Sequence, residues 1–133
     1  MSKYVDANIF LNPVLYKDGK AEKCREILRQ ITGGEIAAVT SFLTWDEFVH
    51  VIRKQLGREI ATKEGDKFLK FPNLTFLKVD ENVIFKAQEL IAEYNVKPRD
   101  AIHAASALAK GIREIISDDP DFDKIKELKR IRI

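Results

Sequence analysis

EIAAVTSFLTWDEFVHVIRKQLG, residues 35–57, changes its period part way along. EIAAVTS (35–41) is a short apolar run bounded by a turn, which reads as a buried strand. TWDEFVHVIRKQLG (44–57) then sets Trp45, Phe48, Val49, Ile52 and Leu56 at helical spacing before Gly57, so it reads as an amphipathic helix with a glycine stop. Working outward, the same alternation repeats. KYVDA (3–7) is a short strand, followed by the apolar IFL (9–11) and by the helix KAEKCREILRQI (20–31), which the Gly33-Gly34 pair closes. EIATKEGDKFLKF (59–71) is helical up to Pro72, LTFLKV (74–79) is a strand, and Asp80 caps the helix ENVIFKAQELIAEY (81–94). Pro98 opens PRDAIHAASALAKG (98–111), Gly111 ends it, and EIIS (114–117) and LKRIRI (128–133) supply the last strands. Strands separated by helices throughout predict an α/β fold: a twisted parallel sheet of about five strands, helices on both faces, right-handed crossovers. At 133 residues, 45% of them apolar, the chain reads as one domain spanning 1–133.

Composition excludes several classes. The single cysteine, Cys24, lies on a helix stripe with Ile27, Leu28 and Ile31, so it can form no intrachain disulfide and reads as a packed thiol in a reducing compartment. No cationic segment leads into an apolar stretch at the start of the chain, and AIHAASALA (101–109) is too short to span a bilayer, which points to a cytoplasmic protein without a membrane partner. With 23 basic and 21 acidic residues the net charge is only +2, and it decides little about a polyanionic partner. Glycine-rich phosphate loops, zinc-ligand spacings and serine-histidine-acid arrangements are absent from the sequence.

The informative residues are acids. In an open parallel sheet the ligand crevice lies beyond the carboxyl ends of the strands, and Asp6 stands at the end of the first one. Alone, Asp6 reads equally well as a helix cap, with Asn8 as the other capping residue. Glu47 lies inside the central helix, Asp100 in the first turn after Pro98, and Asp119 just past the strand EII within SDDPDFD. Each has an ordinary explanation as a solvated helix position, a partner for a helix N-terminus or a turn residue. Together they place carboxylates at two strand ends and on helices bordering the same crevice, which favours a site. The crowding of Asp118, Asp119, Asp121 and Asp123 also invites a calcium-loop reading. That reading fails, because counting from Asp119 puts Lys124 where glycine is needed and Arg130 where the bidentate glutamate belongs.

YVDAN, TWDEF, RDAIHAASALA and SDDPDF, in this order and across the whole chain, resemble the PIN-domain nucleases, especially the small VapC-type toxins. Residue by residue, the resemblance places the family's acidic quartet on Asp6, Glu47, Asp100 and Asp119, with Asp6, Asp100 and Asp119 as ligands of Mg²⁺ or Mn²⁺. Asn8, Ser117 and Asp121 are secondary: Asn8 neighbours Asp6, Ser117 stands where the family usually has threonine, and Asp121 competes with Asp119 for the fourth place. The implied activity is cleavage of single-stranded RNA by water attack, leaving a 5′-phosphate and a 3′-hydroxyl. The implied partners are a second copy of the chain and an antitoxin protein. The acids by themselves do not distinguish RNA from DNA.

The other function classes weighed are a PIN-like module that binds RNA or protein without cutting, and a phosphohydrolase acting on small esters. Four mutually repelling acids favour an enzyme over the first. The second usually needs an Asp-x-Asp pair, and position 8 is asparagine. Arg99, beside Asp100, is the candidate substrate contact, and Arg53, Lys54, Arg58, Lys63, Lys67 and Lys70 form a basic stretch able to meet phosphates. Trp45 and Phe48 read as core anchors, His50 as a surface residue, and His103 as a packed or hydrogen-bonded histidine.

Overall fold

The computed structural model describes all 133 residues. In chain order the elements are β1 (Lys3–Val5), α1 (Ala7–Leu15), α2 (Gly19–Thr32), β2 (Ala38–Ser41), α3 (Phe42–Leu56), α4 (Arg58–Leu69), β3 (Leu74–Leu77), α5 (Glu81–Tyr94), α6 (Pro98–Ala109), β4 (Glu114–Ile116), a 3₁₀ turn (Pro120–Lys124) and β5 (Lys129–Ile131). The five strands form one sheet in the order β3-β2-β1-β4-β5, and every neighbouring pair is parallel. The α/β expectation therefore holds. The chain winds from β1 outward through β2 to β3, then returns to the other side of β1 for β4 and β5. The reversal falls between β1 and β4, where an open parallel sheet leaves a crevice at its carboxyl edge.

Both faces of the sheet are covered, as an all-parallel sheet requires. Successive strand residues point to opposite faces, and the two apolar cores sort accordingly. Tyr4, Val39 and Ile115 pack with Val83, Leu90, Ala101, Ala104 and Ala105 of α5 and α6. Val5, Ala38 and Ile116 pack with Ile9, Phe10, Cys24, Phe48, Ile52 and Phe68 of α1 to α4. The alanine-rich buried side of α6 brings its backbone close to the sheet, which sets the depth of the residues that helix carries.

Five local readings need correction. The first strand ends at Val5, because Asp6 already caps α1 by accepting from the Ala7 amide. That helix fills the stretch that sequence left as IFL, and it carries Pro13 within it. Residues 35–37 precede β2 rather than belonging to it, and α3 begins at Phe42, two residues early. Trp45 is not a core anchor: it is 38% exposed. The α3 positions that face the core are Thr44, Phe48 and Ile52, four residues apart, and Trp45 lies one step around the helix from that line. The expected stops hold, with Asp80 capping α5 through the Val83 amide and Gly57 and Gly111 at φ 95° and 71°, values that favour glycine.

Candidate active site

The sheet reversal brings Asp6, just past β1, against Ser117, just past β4. β1 and β4 pair in register, Val5 opposite Ile116, and the Asp6 amide continues that ladder by donating to the Ile116 carbonyl at 3.0 Å. Ser117 is completely buried, and its hydroxyl donates to Asp6 Oδ2 at 2.7 Å. Ser117 Oγ in turn accepts from the Asp119 amide at 3.0 Å and from Asn8 Nδ2 at 3.4 Å, while Asn8 also donates to Asp6 Oδ2 at 3.2 Å. A hydroxyl, with one donor and two acceptor sites, suits this hub. Asp6 is thus both a helix cap and a wall of the crevice; the two readings of it were not alternatives.

The four acids of SDDPDFD are sorted by two cations. Lys20, in the first turn of α2, holds Asp118 at 2.6 Å. Arg130 of β5 forks onto both oxygens of Asp123 at 3.0 and 2.9 Å and donates to the Ser117 carbonyl at 3.3 Å. Asp119 has no cation partner, and Asp121 lies 3.7 Å from the half-exposed Lys124 of its own turn. Asp119 caps the 3₁₀ turn through the Asp121 amide, and one carboxylate oxygen from each of Asp100, Asp119 and Asp121 lies within 4.8 Å of the others. Asp100 reaches them from the first turn of α6, which Pro98 starts. Arg99, next to it, is exposed.

Glu47 belongs to a second group. Its Oε1 lies 2.5 Å from Nε2 of His103, and Asp6 Oδ1 lies 3.8 Å from the same nitrogen. Asp6, Glu47 and His103 also present one ligand atom each within 4.8 Å of one another. The other ring nitrogen, Nδ1, is 2.6 Å from the Tyr4 hydroxyl, which itself donates to Ser41 Oγ at 2.8 Å. With its proton on Ser41, the Tyr4 oxygen is free to accept from Nδ1–H while Nε2 faces Glu47, an arrangement that favours the charged ring. Burial opposes that charge, but the Tyr4 oxygen, Glu47 and Asp6 outweigh it and hold the His103 pKa well above 6.5.

The carboxyls feel one another. Burial raises the pKa of Asp6, against the pull of His103, Ser117 and the Ala7 amide. Burial, with the charges of Asp119, Asp6 and Asp121, pushes Asp100 up to about 6. Asp100 thus links the two groups electrostatically. Of the acids named from sequence, Asp6 and Glu47 meet at His103, and Asp100, Asp119 and Asp121 meet one another. Missed altogether were Tyr4 and Ser41, which the sequence offers only as apolar-run residues, and His103 was not assigned to Glu47.

A family model described as the PIN domain matches residues 3–128, and the chain belongs to the PIN-domain family. Among solved structures, it is similar to the Mycobacterium tuberculosis toxin VapC20, described as cleaving the sarcin-ricin loop, at a TM-score of 0.79 and 17% identity, covering 96% of this chain and 99% of that one. Similar too are DNA-bound VapBC from Salmonella typhimurium (TM-score 0.74, 22% identity, 99% and 98% covered) and a toxin-antitoxin complex from Klebsiella pneumoniae (0.71, 19%, 96% and 95%). At these identities the likeness is one of fold. No curated protein matches the chain. No helix is long and apolar enough to cross a membrane.

Proposed function

We propose that this chain is a divalent-metal-dependent endoribonuclease, the toxin of a toxin-antitoxin pair. The observation that carries the reading is a pair of acidic groups at the sheet reversal, Asp6 with Glu47 and Asp100 with Asp119 and Asp121, joined by the charge of Asp6 acting on Asp100. The donor set fits Mg²⁺ or Mn²⁺: it is made of carboxylate oxygens, no thiolate is near, and the one imidazole is engaged on both nitrogens. A cation there offsets the repulsion that raises Asp100. Asp6, Asp100 and Asp119 would hold it, with Asp121 as the alternative fourth acid. When bound, such an ion supplies charge to the phosphate oxygens and makes a water a better nucleophile at neutral pH.

The protein's own groups do the positioning. Ser117 and Asn8 fix the Asp6 carboxylate, the 3₁₀ turn fixes Asp119, and Glu47, held at Oε1 by His103, would accept a hydrogen bond from the attacking water at its other oxygen. Water adds to phosphorus, the bond to the 3′-oxygen breaks, and the products carry a 5′-phosphate and a 3′-hydroxyl. Arg99, exposed and next to Asp100 in the chain, would be the substrate contact. In the basic stretch Lys67 and Lys70 are paired with Glu64 and Asp66, which leaves exposed Arg53, Lys54, Arg58 and Lys63 for phosphates. Choice of RNA over DNA, and the antitoxin partner, are supported by the toxin and toxin-antitoxin neighbours.

Incubating the protein with matched single-stranded RNA and DNA, in Mn²⁺ and in EDTA, tests the reading. RNA is expected to be cut in Mn²⁺ alone, with 5′-phosphorylated products. Binding of RNA without cutting would move the assignment to a silent PIN module.

We also propose a twofold homodimer, the default arrangement for small soluble oligomers. Its apolar contact would come from the exposed Ile84 and Phe85 of α5 and Phe42 and Trp45 of α3. Light scattering at micromolar concentration is expected to give about 31 kDa, twice the 15.3 kDa of one chain; a 15 kDa species alone would rule the dimer out.

A further inference from the structure

We propose that His103 is a positioning residue for Glu47, working through a closed relay that Tyr4 and Ser41 complete. The inference rests on the nuclease reading above for its catalytic consequence, but its metal-binding consequence stands apart from RNA.

The relay runs through three elements and returns to its start. Ser41 is the N-cap of α3, Tyr4 lies in β1, His103 in α6, and Glu47 is back in α3, in the second turn after Ser41. The contacts are 2.8 Å from Tyr4 to Ser41, 2.6 Å from Tyr4 to His103 and 2.5 Å from His103 to Glu47. Tyr4 and Ser41 are fully buried and His103 is 1% exposed, whereas the Glu47 side chain is 19% exposed. Only its last member therefore reaches the crevice.

That asymmetry matters for a glutamate. A free Glu side chain has three rotatable bonds and loses conformational entropy on being fixed. Here the fixing is done by a ring with two torsions, edge-on to Tyr4 at 5.6 Å between ring centres, with every polar atom satisfied. Water cannot compete for Nδ1 or Tyr4, so the geometry is set in the core and delivered to the carboxylate. Nε2 also lies 3.8 Å from Asp6, so the same nitrogen stands between the Glu47 carboxylate of α3 and the carboxylate that caps α1. A group that orients a carboxylate beside a metal site in this way typically contributes 10- to 100-fold in affinity or activity. A purely structural role for a buried polar cluster is the alternative, and it predicts lost stability without a specific loss at Glu47.

Four variants separate these roles: Tyr4→Phe, His103→Gln, His103→Leu and Glu47→Gln. Tyr4→Phe keeps the ring and removes only the hydroxyl that anchors His103. His103→Gln keeps a donor for Glu47, and His103→Leu removes it. With RNA as substrate, His103→Leu is expected to lower kcat about 10- to 100-fold with KM within about twofold, Tyr4→Phe to lose less, and His103→Gln to recover most of the loss. Mn²⁺ affinity, measured by calorimetry without RNA, is expected to fall in the same order. In a Glu47→Gln background the effect of His103→Leu on kcat and on Mn²⁺ affinity is expected to vanish, since coupled residues are not additive.

Equal losses with and without Glu47, or wild-type kcat and Mn²⁺ affinity in both His103→Leu and Tyr4→Phe, would overturn the proposal. If His103→Leu fails to fold, the other variants decide the matter. If the wild type cuts no RNA but binds Mn²⁺ in a His103- and Glu47-dependent way, the nuclease reading fails and the positioning role stands. A wild type that neither cuts RNA nor binds Mn²⁺ overturns both.

Discussion

Asp100→Asn and Asp6→Asn are each expected to remove RNA cleavage in Mn²⁺, by roughly 10²- to 10³-fold or more, the loss that follows deletion of one preorganised electrostatic group. The substitution keeps shape and removes charge. Asp100 makes no bond that the fold depends on, so its far-ultraviolet circular dichroism is expected to match the wild type. Asp6 is more embedded, since its carboxylate accepts from Ala7, Ser117 and Asn8, and asparagine keeps one acceptor oxygen for these donors. Because the acids act as one unit, the double variant is expected to be no worse than either single. Glu47→Gln is expected to be nearly as damaging. Asp119→Asn is expected to cost more than Asp121→Asn, because Asp119 is tied through its amide to Ser117, the residue that also holds Asp6. The reverse order would give the fourth place to Asp121. Near wild-type cleavage in both Asp6→Asn and Asp100→Asn would end the nuclease assignment for this crevice.

The parts of this site that sequence displayed are those set by local pattern. Asp6 is visible because a strand must end where its apolar run ends, and Asp100 because Pro98 marks a helix start. The sorting of the acidic cluster was hidden, since it depends on Lys20, 98 positions from Asp118, and on Arg130, which reaches back from the next strand. The pairing of Tyr4 with His103 spans 99 positions and that of Ser117 with Asp6 spans 111. Such contacts are consequences of strand order, and alternation of strands and helices predicts a parallel sheet without predicting which strand returns beside β1. Trp45 shows the other limit. A stripe of helical period defines a face only to within a residue or two, and the neighbours that settle it, here α4 packed so closely that a side chain at Gly65 would meet Val49 at 2.8 Å, come from elsewhere in the fold.

Stability without RNA gives the second large effect. Burial and three neighbouring carboxylates raise Asp100 from 3.8 to about 6. A carboxyl raised in the folded state is neutral and without cost below its unfolded pKa of 3.8; the cost builds as pH rises through 3.8 toward about 6 and is complete above that. The full shift corresponds to about 3 kcal/mol at ~1.4 kcal/mol per unit, and solvent screening of a half-buried group reduces it to about 1–2 kcal/mol. The attraction of the α6 N-terminus for an acid in its first turn is about 0.3–1 kcal/mol, smaller than the repulsion. In EDTA at pH 7.5, Asp100→Asn is therefore expected to melt above the wild type by a few degrees, and at pH 3.5 the two are expected to coincide. Mn²⁺ should reverse the order. An ion that binds only the folded arrangement adds about 2.7 kcal/mol at 100 times its dissociation constant, roughly 10 °C for a domain of this size, and the wild type is expected to gain most of it while Asp100→Asn gains little. A wild type more stable than Asp100→Asn in EDTA, together with equal responses to Mn²⁺, would mean that Asp100 does not share a cation site with Asp6 and Asp119, and Asp6 would then be a helix cap and nothing more.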